Sequence, residues 1–335
     1  MTAQTEPRRI LVVALDNLGD LVFASALVPP IRQAFPSASI GVWCKEYTAP
    51  VARLIPHVDE VFAGDPLWAV SPGRPRPSLR AFLRSLLAVR QAKFDAAILS
   101  AAPWRTAAAC AASGIPVRVG LERHRNAAFL TRVLPPEDPA KPVLVEQARL
   151  LTGLGISSNA PRYHLDASRL GTVRDEVSKQ LAHRFVALHP FAGTRDRCVP
   201  LGEWTQVAFA LQGRGLRTLW VGTTRELDEL RRSVTHPGGY YVDRIRASDV
   251  NEGSLTVTAA AISLAAGFVG HDSGPLHVAG ALGVPVVGVF APGEPKRTFP
   301  QGIAPWRMIH RAAPGEITAA DLLREVADLG LFSGP

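Results

Sequence analysis

The sequence predicts an α/β protein made of two doubly wound parallel-sheet halves. Three observations carry that prediction: a length of 335 residues, short β-branched runs alternating with helical patterns, and a restart of that rhythm after a linker near residue 160. A chain this long exceeds one comfortable hydrophobic core and suits two domains of roughly 150 residues each. Strands alternating with helices are the pattern of βαβ units and parallel sheets.

In the first half, Ile10–Leu15 reads as a buried strand, Leu21–Phe35 as a helix, and Ser39–Cys44 and Val58–Ala63 as strands. Gly64–Pro77, rich in Pro and Gly, reads as a loop. Ser78 then caps an Arg-studded amphipathic helix through Leu79, Leu83, Leu86, Leu87 and Arg90. Phe94–Ser100 follows as a strand, Pro103–Ser113 as a helix, Val117–Leu121 as a strand and Val145–Leu154 as a helix ending at Gly155. Ile156–Tyr163 has linker composition, so domains are expected over 1–160 and 161–315, with a last helix in 316–335.

The second half repeats the alternation: strand Phe185–His189, helix Glu203–Gln212, strand Leu216–Gly222, then helices Arg225–Val234 and Leu255–Ala266. Strand Phe268–Asp272, helix Pro275–Leu282 and strand Val284–Phe290 complete it. A capping box, Thr318 with Asp321, opens the last helix. Ligands of open α/β sheets bind beyond the carboxyl ends of the strands, so the site is expected in a cleft where two such edges face each other.

Composition narrows the function. With 47% hydrophobic and 20% charged residues the chain is globular, and 28 Gly with 28 Pro but no period excludes a collagen-like one. Cys44, Cys110 and Cys198 are too few and scattered for a disulfide framework or a cysteine zinc site, and a reduced cytoplasm fits them. The N-terminus lacks a signal-peptide pattern, and the most apolar stretch, Thr256–Gly270, is too short to span a bilayer. The net charge of +8 points to an anionic partner: a nucleotide, a phosphorylated sugar, nucleic acid or peripheral contact with an anionic membrane surface. No like-charge run and no aromatic–basic interleaving favours nucleic acid. Only five of the 37 basic residues are Lys, an Arg bias that suits phosphate contacts and equally a GC-rich genome.

Four strand-to-helix turns carry candidate chemistry. In Asp16-Asn17-Leu18-Gly19-Asp20, Gly19 permits a tight turn, and Asp20 is either a helix-start cap or a functional carboxylate, with Asp16 a second one nearby. In Gly270-His271-Asp272-Ser273-Gly274-Pro275-Leu276-His277, Ser273 and Gly274 open a helix with Pro275 in its first turn, which makes an anion site fit for a diphosphate. Asp272 suits a sugar hydroxyl, while His277 is read either as a phosphate donor or as structural. The loop from His189 to Arg197 offers Thr194, Arg195 and Arg197 as phosphate ligands or as ordinary solvated residues. Glu226, after Gly222-Thr223-Thr224-Arg225, is a ribose contact or another cap. The Asp-Ser-Gly-Pro string is not a protease nucleophile loop, because this chain is α/β and lacks G-x-S-x-G. Nor does the chain contain a P-loop, a Rossmann glycine fingerprint, HExxH or D-x-D, which leaves a diphosphate to be neutralised by protein groups.

These residues converge on a family. Through ILVVALDNLGDLVFASALVPPIRQAFP, ALHPFAG and FVGHDSGPLHVAGALGVPVVGVFAPGEP, nearly the whole chain resembles the ADP-heptose–lipopolysaccharide heptosyltransferases, glycosyltransferase family 9. The resemblance implies a GT-B fold of two Rossmann-like domains facing across a cleft, the first binding acceptor and the second nucleotide sugar, with the final helix returning to the first. It implies an inverting, metal-independent transferase with no cofactor, in which Asp20 is the general base and Arg197, Glu226, Asp272, Ser273, Gly274 and His277 bind the donor. Asp16, Gly19, Thr194 and Arg195 are second-rank candidates. The implied partners are ADP-heptose or a related nucleotide sugar and an acceptor glycan, lipid-linked or small, met in the cytoplasm or at the periphery of the inner membrane. Arg74–Lys93 and Arg118–Arg132 are expected either to meet a phosphorylated lipid core or to be solvated faces. Two departures stand out: Arg197 and Val199 replace the usual Lys and Trp, and Asp16-Asn17 replaces a small polar pair. They leave room for two rivals, transfer to an aminoglycoside- or nucleoside-type metabolite and a non-catalytic nucleotide-sugar-binding protein.

Overall fold

The computed structural model describes residues 6–69, 77–157, 161–233, 238–248, 250, 254–293, 295–299 and 302–332. The chain divides into two compact units, Met1–Tyr163 and His164–Pro335. Part of the loop expected over Gly64–Pro77 (70–76), part of the linker (158–160), Val234 and Glu294 lie outside the described residues.

In the first unit, strands β1 (Arg9–Ala14), β2 (Ser39–Cys44), β3 (Glu60–Ala63), β4 (Ala96–Leu99), β5 (Val117–Leu121) and β6 (Arg132–Leu134) form one sheet in the order β3-β2-β1-β4-β5-β6, every pair parallel. Central β1 is buried from Ile10 to Ala14, as expected of a continuous apolar run covered on both faces. Helices α1 (Leu18–Ser25), α2 (Val28–Ala34), α3 (Ala49–Ala52), α4 (Leu79–Gln91), α5 (Trp104–Ala112) and α6 (Val143–Thr152) complete the unit. The single helix expected over Leu21–Phe35 is two, because Pro29 and Pro30 supply no N–H to an ongoing ladder but fit the first turn of a new helix. Helix α4 sits close to the sheet: Phe82 stacks on Trp43 with ring centroids 5.9 Å apart, and Gly64 leaves the space that Ser85 fills.

In the second unit, β7 (Phe185–His189), β8 (Arg217–Trp220), β9 (Tyr240–Tyr241), β10 (Gly267–His271), β11 (Val286–Phe290) and β12 (Trp306–His310) form a second all-parallel sheet in the order β12-β11-β10-β7-β8-β9. Its helices are α7 (Gly171–Gln180), α8 (Leu201–Gln212), α9 (Thr224–Ser233), α10 (Leu255–Ser263), α11 (Gly274–Ala281), α12 (Pro295–Thr298) and α13 (Ala319–Asp328). The expected α/β class of two doubly wound parallel sheets is the observed one.

Helix α13 packs on α8 and β12 of its own unit, with Leu322 and Val326 fully buried. The Ala319 N–H donates to Glu203 Oε2 of α8 at 2.6 Å, and Leu331 fills the room left by the missing side chain of Gly267. The Thr318–Asp321 capping box forms as read, the Thr318 N–H and hydroxyl both donating to Asp321 Oδ2. Among the described residues no helix is long and apolar enough to cross a membrane.

Candidate functional site

The first unit presents its chemistry where β1 hands over to α1. Asn17 is the extended N-cap residue, and its N–H donates to Asp20 Oδ2 at 3.0 Å. Asp20 therefore does cap the helix with one carboxylate oxygen, a placement that the positive end of the helix favours for an ionised group. The Leu18 N–H donates to the Tyr47 hydroxyl at 3.1 Å, which ties the segment after β2 to the same turn. Asp16, Gly19 and Asp20 are all part-buried in this turn.

Sequence reading missed a cation here. The β1–β2 register pairs Ala14 with Cys44, so Lys45 comes level with the start of the turn, and it is only 2% exposed. Burial pushes the Lys45 ammonium down from its usual range, while the negative charges of Asp16, Asp65 and Asp20 pull it back up. Asp65 also accepts the Glu46 N–H at 3.0 Å. The signal was present: Lys is rare in this chain, and this one directly follows a strand.

In the second unit the candidates gather around Asp272, just beyond β10. Asp272 Oδ2 accepts from Thr298 Oγ1 at 3.0 Å and lies 3.5 Å from Arg197 Nη2, while Oδ1 lies 3.3 Å from His277 Nε2. Burial alone pushes the Asp272 carboxyl up; His277, the Thr298 hydroxyl and the Arg197 guanidinium outweigh it and hold the pKa below the ordinary carboxylate value. Ser273 is the extended N-cap of α11, its hydroxyl donating to the His271 carbonyl at 3.0 Å, and Gly274 with Pro275 forms the first turn. The buried His277 is thus a partner of Asp272, and Arg197 is brought to the same spot.

The remaining candidates have local partners. Glu226 Oε2 accepts from both the N–H (2.8 Å) and the hydroxyl (2.9 Å) of Thr223, which is a helix-start cap. Thr194 opens the short turn Arg195–Arg197, and Arg195, 84% exposed, pairs outward with Glu229 at 2.9 Å. A cavity of about 580 Å³ lined by Arg8, Asp95, Val117 and Arg132 opens at the amino edge of the first sheet, the edge opposite the Asp20 turn, and carries none of the candidates.

His271 was also without a role in the sequence reading. Its Nε2 accepts the Val199 N–H at 3.1 Å and so anchors the loop that bears Arg197. Burial, His189 and Arg197 push the His271 imidazole down to about 3, and burial likewise lowers His189, whose ring nitrogen Nδ1 is 2.9 Å from the Val221 carbonyl. The neutral ring is the one that can accept Val199.

A stability prediction follows from that neutrality. Native His271 binds no proton between pH 6.5 and about 3, whereas the unfolded chain does, so its contribution is whole above pH 6.5 and is lost as pH falls toward 3. The slope is about 1.4 kcal/mol per pH unit per such histidine. Urea unfolding from pH 7 to 5 should show stability falling with acid in the wild type and falling less in His271→Gln; equal slopes would contradict the neutral assignment.

Comparison with known proteins then places the chain. A model of glycosyltransferase family 9 (heptosyltransferase) matches residues 81–310. Lipopolysaccharide heptosyltransferase 3 of Escherichia coli is 21% identical over 280 residues, 81% of this chain and 80% of that protein. Among solved structures, a glycosyl transferase family 9 protein from Veillonella parvula superposes with a TM-score of 0.80 at 18% identity, covering 97% of this chain and 98% of that one. The E. coli heptosyltransferase WaaC with ADP gives 0.74 at 16% identity, covering 96% and 99%. Likenesses at this identity speak to fold, which is that of the GT-B transferases. The family match spans well over half of the chain, and the chain belongs to glycosyltransferase family 9, the heptosyltransferase family, and is a glycosyltransferase.

Proposed function

We propose that the protein is an inverting, metal-independent heptosyltransferase that moves a heptose from ADP-heptose to a hydroxyl of an acceptor glycan such as the lipopolysaccharide inner core, in the cytoplasm. The observation that carries the reading is the junction at Asp272, where the Arg197 guanidinium meets the N-terminal turn of α11. Helix-start N–H groups at Ser273 and Gly274, with Arg197, suit the negative charge that grows on a departing ADP. Each well-placed donor contributes about 3 kcal/mol to such a transition state. Asp272 and His277 hold Arg197 and the turn in register, and Glu226, already a helix cap, has a second carboxylate oxygen for ribose. Thr194 and Arg195 flank the phosphate position; Arg195 has to leave Glu229 to reach it.

On the acceptor side, Asp20 takes the hydroxyl proton as the glycosidic bond forms. Capping is compatible with this role, because the Asn17 N–H engages Asp20 Oδ2 and a carboxylate has several acceptor sites. A second reading, transfer to an aminoglycoside- or nucleoside-type metabolite, draws support from the extra carboxylate of Asp16 beside Lys45 and from the buried Val199.

The test is ADP release by EDTA-treated protein supplied with ADP-heptose and either truncated lipopolysaccharide or small acceptors. Turnover is expected with the lipopolysaccharide acceptor, and Asp20→Asn should bind ADP normally but turn over about 10²–10⁴-fold more slowly. Equal turnover by the variant removes Asp20 as base, turnover restored only by magnesium removes metal independence, and donor binding without turnover in the wild type leaves a binding protein.

Lys45 supplies a separate prediction. Replacing the buried ammonium by Met removes the positive charge that interacts with Asp16, Asp65 and Asp20, so Lys45→Met should lower kcat/KM about tenfold or more while ADP affinity is kept. An unchanged kcat/KM would show that Lys45 serves packing alone.

A further inference from the structure

The outer face of α4 is not used by the site described above. Its inner face, Phe82, Ser85 and Val89, is buried against Trp43 and Trp68. Leu79, Leu83 and Leu87, spaced by four residues and therefore stacked on one line of the helix, are 55%, 43% and 54% exposed. An apolar row this open is unusual for a solvated helix, whose outward positions are normally polar.

Arg80 and Arg84 lie on the adjoining line and are exposed, and among the described residues neither forms an ion pair. Arg90, near the helix end, donates to the Ala112 carbonyl at 2.9 Å. No Asp or Glu occurs anywhere in α4, and the whole chain carries a net charge of +8. A leucine row bordered by unpaired arginines, with no carboxylate to repel an anion, is the pattern of a helix that lies in a lipid–water interface.

From this we infer that the outer face of α4 is a docking surface for an anionic lipid bilayer, the three leucines entering the headgroup–acyl boundary and Arg80 and Arg84 meeting phosphate headgroups. Charge complementarity selects that occupant over an uncharged surface. The helix follows β3, so its first turn lies toward the carboxyl edge of the sheet, where the Asp20 turn also stands. A membrane held there keeps a lipid-linked acceptor near the proposed base. The biological use rests on the lipid-linked reading of the acceptor; the docking itself does not.

The experiment uses the full chain and vesicles that contain no glycan acceptor and no donor: phosphatidylcholine alone, or phosphatidylcholine mixed with phosphatidylglycerol. Co-sedimentation is expected with the mixed vesicles only and should be lost in high salt. Leu83→Asp/Leu87→Asp and, separately, Arg80→Gln/Arg84→Gln should each weaken it about fivefold or more while turnover on a water-soluble acceptor is kept. The arginine pair guards against misfolding of the leucine pair. Absence of wild-type binding, equal binding by both variants, binding only when lipopolysaccharide is added, or a dimer that the leucine variants dissociate would each overturn the inference. Because donor and acceptor are absent, a failure here leaves the transferase reading standing, and a failure of ADP release leaves this one standing.

Discussion

Where a parallel strand of this protein hands its chain to an α-helix, as β1 does to α1 and β10 to α11, the first amides of that helix have no partner within it. How those N–H groups are satisfied decides where charge can gather. At the start of α1 Asp20 reaches back to accept the N–H of Asn17, at α9 Glu226 accepts that of Thr223, and at α13 Asp321 accepts that of Thr318, each from the residue just before its helix. At α11 the N-cap is Ser273, whose hydroxyl is turned to the His271 carbonyl, and the carboxylate of the preceding residue, Asp272, is bonded to Thr298 and faces Arg197 and His277. The α11 turn is therefore the one among these four in which no helix residue's carboxylate closes the N-terminus, and a guanidinium stands beside it.

The same constraint explains why motif and cap were hard to separate in the sequence. Asp20 and Glu226 sit three residues after a residue that caps well, so propensity alone accounts for them, and the structure shows each doing that local job. The alternation of apolar runs made both sheets legible because central strands such as β1 and β10 are buried on both faces. Edge elements were less so: β9 is two residues long, and β12 exposes four of its five. The break between α1 and α2 was written in Pro29-Pro30 and overlooked beneath the apolar period. The path of the last helix was not legible at all, since amphipathicity shows that α13 buries a face without saying against what; the Glu203 acceptor and the space at Gly267 decide it.

Of the candidate site, the sequence showed which turns carry titratable residues but not how those residues stand to one another. His277 stands on the inner side of α11, where only the fold shows that it turns to Asp272. Lys45 and His271 escaped because each acts on another segment: one is a buried cation level with the Asp16–Asp20 turn, the other a neutral ring that accepts the Val199 N–H. Both are tertiary relations across a parallel register. They make the two turns electrostatically distinct, carboxylates around a lysine in the first unit, and an arginine beside an uncapped helix end in the second.

The proposed transfer depends on that second arrangement, in which the amides of α11 and the Arg197 guanidinium beside Asp272 would hold a leaving diphosphate. Calorimetric titration of ADP and of adenosine into wild type and Arg197→Ala tests it most directly. Loss of the guanidinium should weaken ADP about tenfold or more, roughly 1.4 kcal/mol per tenfold, and leave adenosine unchanged. An unchanged ADP affinity, or an equal loss for both ligands, would contradict it.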